Sequence, residues 1–264
     1  MFKFPPAATN YFAQTDTSLE GHTKLVLALR GFVCRFTILL YNYQQWERVR
    51  KKITGRGSSM DDDQGVMYWF LEHTLRNSAV IHLRSLCDAN PKSLGAKAIA
   101  DGLNDQAART GLCAYLDGDS RERRMTDAIQ RDRYLDYIAK YMGLLSSQAK
   151  RGQTSHDIVM KVSLIRRWAN KTIAHPTLDE YKVDSDDLHH VFLVVAVLAT
   201  AIEAVMGDAA ADNDLQVCED QAERGSAVLF GSPDTTGNKY IRTIRKLLPV
   251  WVHTGDEFPL CQLI

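Results

Sequence analysis

The run Val191 to Met206, VFLVVAVLATAIEAVM, limits how this chain can fold more than any other segment. Its side chains are almost all apolar, so the surroundings it requires are apolar on every side. It contains Thr200 and Glu203 and is shorter than the roughly 18 to 20 residues that span a bilayer. A buried helix is therefore predicted, and the rest of the chain must cover it.

Helical periodicity supplies that cover. Between Ser18 and Ile53 there is no proline, and Leu25, Leu29, Phe32, Phe36, Leu39, Leu40 and Tyr43 recur at helical intervals, with Asp16 or Thr17 placed as the N-cap. The basic turn Arg48, Arg50, Lys51 and Lys52 suits the negative end of that helix, and GRGSS breaks it. Asp61, Asp62 and Asp63 open a second helix, running through Tyr68, Leu71, Leu75, Val80 and Leu83 to about Leu86. A three-carboxylate metal site is the other reading of these aspartates, but capping already accounts for their charge.

Pro91 and Ser93 mark a turn and the N-cap of a short helix ending near Leu103. The stretch from Gly102 to Ser120 reads as a loop, interrupted by Gly111 and Gly118. A further long helix is predicted from Asp127 to Ala149, with Ile129, Tyr134, Ile138, Tyr141 and Leu145 facing inward. Another runs from Ser155 to His175, where Pro176 forces it to stop. Ser185 or Asp186 caps the apolar helix, which ends at Gly207. Residues 208 to 264 contain two short apolar runs, turn chemistry (GSPDTTGN) and the basic piece KYIRTIRKLL, which predicts a small mixed appendage, α+β in character. The fold class is thus all-α: a tail over 1–16, an antiparallel helical bundle over 17–207 and the appendage over 208–264.

A chain of 264 residues that is 45% apolar can hold a core without disulfides or metal staples. The five cysteines, at 34, 87, 113, 218 and 261, are scattered, with no close pair, which points to a reducing cytoplasm. The N-terminal residues carry no apolar stretch of signal-peptide length, so cytoplasmic residence is expected. With 32 basic and 32 acidic side chains the chain as a whole is no polycation. The balance is a cancellation between segments, however. Residues 121 to 175 carry 12 basic against 5 acidic groups, and residues 176 to 220 carry 1 against 11.

Phosphate-loop, GxGxxG, HExxH and GxSxG signatures do not occur. His189 and His190 are adjacent, about 100° apart on a helix, and read as surface or capping histidines. The segment RRWANKTIAHP, Arg166 to Pro176, stands apart. Its run Asn170 to His175 resembles the signature of the HEPN superfamily, in particular the abortive-infection branch of AbiU type. Leu83 to Leu103 is similar to that branch's Arg-Leu-x-Asp turn and serine-capped short helix. The segment from Val183 onward is similar to its acidic cap and final apolar helix. The resemblance covers roughly residues 20 to 207.

The superfamily pattern places four to six residues between an Arg and the His. Here those positions are Asn170, Ala169 and Trp168. Arg167 lies one step outside, and Arg167, Lys171 and His175 form an i, i+4, i+8 stripe, so Arg167 or Lys171 can supply the charge with Asn170 as the polar residue. Two other pairs match the pattern, Arg76 with His82 and Arg151 with His156, as many as composition alone accounts for. Arg76, Asn77 and His82 sit within a long apolar helix and read as structural. Arg151 and His156 straddle a turn.

The resemblance implies metal-independent RNA cleavage at a composite site where two copies meet, in a phage-defence or toxin-antitoxin setting. Imidazole can take the proton of a 2′-hydroxyl and return one to the leaving oxygen, while cations receive charge on the phosphoryl group. The expected catalytic residues are His175, Asn170, Arg167 and Lys171. No cofactor or metal is implied. The implied partners are RNA or a nucleotide, a second copy of the chain, and an antitoxin or regulatory protein, with no membrane. Loss of the standard Arg leaves open a HEPN-like module that binds without cutting, and a structural helical dimer is the third reading.

Overall fold

The computed structural model describes residues 21–56, 63–118, 125–149, 157–170, 184–207, 214–230 and 239–254. Among them the chain forms nine helices and no strand. These are α1 (Gly21–Arg56), α2 (Asp63–Leu86), α3 (Ala96–Asn104), α4 (Gln106–Gly118), α5 (Ala128–Ser146), α6 (Asp157–Trp168), α7 (Ser185–Met206), α8 (Leu215–Phe230) and α9 (Tyr240–Thr254).

The apolar run becomes the centre of the bundle. α7 packs against α1, α2, α5, α6 and α9, and every residue from Val191 to Ile202 is buried. Asp184 caps it by accepting from the Asp186 amide, and Gly207 ends it at φ 57°, the left-handed region that glycine enters without strain. The cap is thus one residue before Ser185 and two before Asp186, the two expected. α7 is the only helix among the described residues long and apolar enough to cross a membrane, and it is spent on the core.

α1 forms the longest wall. All seven of its predicted core residues are buried, and at roughly 1.5 to 3 kcal/mol for each large apolar side chain they are a major source of stability. Arg35 fastens this helix to the α2–α3 turn, donating to the Ser85 hydroxyl at 3.1 Å and to the Leu94 carbonyl. In α2, Val80 and Leu83 are buried as expected, whereas Val66, Met67, Trp69 and Phe70 are exposed along its first half.

Of the stretch read as a loop over 102–120, the described residues 102–118 are instead the end of α3 followed by α4. Asp105 makes both events: its amide closes α3 onto Asp101, and its carboxylate caps α4 through the amides of Ala107 and Ala108. Gly111 is no breaker there. A Cβ at that position would lie 2.6 Å from His22 Cβ, so glycine is what lets α1 and α4 touch. The α3 N-cap is Gly95, with no side-chain cap, so Ser93 does not serve in that role.

α5 begins where expected, next to Asp127, which caps it through the amides of Ile129 and Gln130. Tyr134, Ile138, Tyr141 and Leu145 face the core, but Ile129, in the first turn, is 70% exposed. The described part of 208–264 is helical, which corrects the mixed appendage. Ile241, Ile244, Leu248, Trp251 and Val252 of α9 join the same core as α7. Pro249 does not end α9, and it lies on the solvent face, where water can meet the Arg245 carbonyl that proline has no N–H to bond.

Candidate functional site

α6 carries the beginning of the distinctive segment, and its position is set by hydrogen bonds from its own side chains. The Ser163 hydroxyl accepts from the Ala149 amide at 3.3 Å. Arg166 donates to the carbonyls of Cys87, Leu145 and Ser147, which lie at the ends of α2 and α5. The first arginine of the pair is therefore a fastening residue. Burial pulls its guanidinium below the usual arginine range, and the nearby Cys87 and Asp88 oppose that shift.

Ile158, Val162, Ile165, Trp168 and Ala169 form the inner face. The α-helix ends at Trp168 and widens into a π turn at 169–170, a distortion often found at functional sites. Arg167 and Asn170, three residues apart, are both exposed at this end. The structure thus brings these two expected site residues to one edge of the helix. Lys171 and His175 lie outside the described residues, as do Arg151 and His156.

α2 adds a cation that sequence reasoning set aside as structural. The Arg76 guanidinium lies over the Trp168 ring, 5.4 Å from its centroid. Its Nη2 donates to His73 Nδ1 at 3.2 Å, and its Nε is 3.7 Å from Glu72 Oε1, which in turn accepts from the Trp46 indole at 2.8 Å. Next to it, Asn77 Oδ1 is a buried acceptor with no hydrogen-bond partner among the described residues. His82 does not join this group. It is half-buried beside Arg35, and burial first, then that arginine, lower its pKa. The pair Arg76 and His82 therefore matches in sequence and separates in space. Only the packing of α2 on α6 could have revealed the role of Arg76, because no periodicity links residue 76 to residue 168.

His189 and His190 are not the surface or capping residues expected. His189 Nδ1 is hydrogen-bonded to the Tyr43 hydroxyl at 2.6 Å and lies 3.8 Å from Glu47, whose two carboxylate oxygens accept from the Tyr240 hydroxyl at 2.9 Å. The Tyr43 ring stacks on Phe192 at 3.7 Å. Burial raises the Glu47 pKa and lowers that of His189, so both shifts favour the uncharged forms. Each group has a partner, and the network ties α1, α7 and α9 together. His190 accepts from Lys161 Nζ at 3.0 Å.

No cluster of three or more His, Cys, Asp or Glu that could hold a metal occurs among the described residues, and Asp61 and Asp62 lie outside them. Comparison with protein-family models, curated proteins and solved structures finds no match to this chain.

Proposed function

We propose that this chain is a HEPN-like protein that binds RNA and cleaves it without metal, with its site at the C-terminal end of α6. In this reading His175 exchanges protons with the 2′-hydroxyl and the leaving oxygen, Arg167 and Lys171 supply positive charge, and Asn170 is the polar residue that orients the phosphate. One observation carries it: Arg167 and Asn170 are exposed together where α6 opens into a π turn, on a helix held in place by Arg166. The 12 basic against 5 acidic groups of residues 121 to 175 favour a polyanion. Exposed Val66, Met67 and Phe70 on α2 suit a second copy of the chain, which the composite site requires.

A second reading, RNA binding without cleavage, is favoured by the burial of Trp168 and Ala169. Of the three positions at the standard spacing only Asn170 reaches solvent, and it is not an arginine. The deciding experiment incubates purified chain with single-stranded RNA in chelator. The cleavage reading expects fragments with 2′,3′-cyclic phosphate ends and a loss of about a hundredfold or more in His175→Ala with an unchanged circular dichroism spectrum. Intact RNA that is nonetheless bound selects the second reading. RNA neither cut nor bound removes both.

A further inference from the structure

We infer that the edge of α2 carrying Trp69, His73 and Arg76 is a stacking platform for unpaired RNA bases, leading to the C-terminal end of α6. The inference rests on the RNA reading above and adds the form of RNA that the chain takes.

The three residues stand at i, i+4 and i+7 and share one edge of the helix. Trp69 is 57% exposed, although an indole of this size normally seeks cover. Its ring lies 15° from parallel to the His73 imidazole, with centroids 5.7 Å apart. His73 Nδ1 accepts from Arg76, and the Arg76 guanidinium lies over Trp168 at 5.4 Å. Four flat groups therefore run in series along α2 to α6, from an exposed indole through an imidazole and a guanidinium to a buried indole. Trp168 is followed two residues later by the exposed Asn170.

Each member of this series can do one part of strand binding. An exposed indole accepts the face of any base, because every base has one, so the contact tolerates sequence. The guanidinium adds charge that a phosphate can use, and its planar form is kept in place by the ring beneath it. Glu72 opposes part of that charge, but its carboxylate is already engaged by the Trp46 indole. Val66, three residues before Trp69 and seven before His73, borders the same edge, whereas Met67 and the Phe70 ring lie about 100° or more from Trp69 around α2. The Met67 and Phe70 side and the Trp69 edge therefore differ in chemistry: apolar for a protein partner, aromatic and cationic for a strand. A duplex hides its base faces in the stack, so this platform selects unpaired RNA.

The test measures fluorescence anisotropy of a labelled 2′-O-methyl oligoribonucleotide, which lacks the nucleophile for cleavage, as a single strand and as a duplex, with the full chain. The single strand is expected to bind more tightly. Trp69→Ala should weaken single-strand binding about tenfold and leave duplex binding unchanged, whereas Trp69→Phe should stay within about threefold of the wild type. Arg76→Ala should also flatten the dependence of binding on salt. Trp69 is exposed, so its two variants test contact rather than folding. Single-strand affinity untouched by Trp69→Ala, or equal affinity of the wild type for duplex and single strand, overturns the platform while leaving RNA binding intact. A Trp69→Ala chain that changes from dimer to monomer by sedimentation overturns it in favour of a second copy. A wild type that binds neither RNA removes the platform and the broader reading together.

Discussion

Arg166 donates from both Nε and Nη2 to the carbonyl oxygen of Cys87, the residue at which α2 gives way to the turn before α3. The same guanidinium also reaches Leu145 and Ser147 at the end of α5. One side chain thus satisfies carbonyls that two helix ends would otherwise leave open.

Arg166→Ala strands those carbonyls, and a loss of about 3 kcal/mol is expected. Arg166→Lys should recover less than half, because an ammonium cannot match the spread of a planar fork. Urea unfolding with an unchanged slope would give both values. An Arg166→Ala midpoint equal to that of the wild type would show that the bonds carry no net stability.

Gly111→Ala should destabilise the chain by about 1 to 2 kcal/mol, although alanine is the better helix former. The new Cβ would meet His22 Cβ at 2.6 Å and Cγ at 2.8 Å, and the Cβ cannot swing away without moving α1. Gly102→Ala should cost less, since its nearest neighbour is the Leu25 Cδ1 at 2.9 Å, the far end of a flexible side chain. Thermal unfolding of the two variants side by side tests the ranking.

Glu219 sets a pH dependence of opposite sign to the usual carboxylate. It is 1% exposed, and burial pushes its pKa up to about 7, although its bonds to the amides of Ile241 and Arg242 pull the other way. The folded chain therefore holds this proton over a range where the unfolded chain, near 4.5, has released it. The group's contribution to stability is greatest below the unfolded pKa and is lost as pH rises through about 7. Glu219→Gln keeps an acceptor for the Ile241 amide without the charge. It should exceed the wild type in stability above pH 7 by up to about 3 kcal/mol, with the gap closing toward pH 5. Parallel denaturation curves at pH 5 and pH 8 measure this, and a gap that does not change with pH would refute it.

Cys87 and Cys218 should resist alkylation in the folded chain. Burial pushes their thiols up to about 12 and about 11, so little thiolate is present at pH 8. Peptide mapping by mass spectrometry after iodoacetamide should show labelling at least about a hundredfold slower than in urea. Rapid labelling of Cys87 under native conditions would contradict its burial.

Features that act within a few residues were legible before the structure. The start of α5 at Asp127 and the end of α7 at Gly207 both follow from local sequence, glycine closing a helix end by rule. Features that depend on a second element were not. Gly111 looks like a loop residue until His22 is seen against it, and the apolar runs of 208–264 look like strands until α9 lies on α7. The candidate site divides in the same way. Arg167 and Asn170 could be placed on one edge by counting along a helix, whereas Arg76 enters only because α2 packs on α6.

The enclosure of α7 has a consequence for how this chain can change over generations. Residues Val191 to Ile202 have neighbours on α1, α2, α5, α6 and α9, so none of them borders a surface that could absorb a lost or added methylene. A substitution there survives when a facing residue on another helix shifts volume in the opposite sense. Drift along this helix must therefore proceed as matched pairs spread across the chain, whereas packing sets no such constraint on the exposed residues at the end of α6.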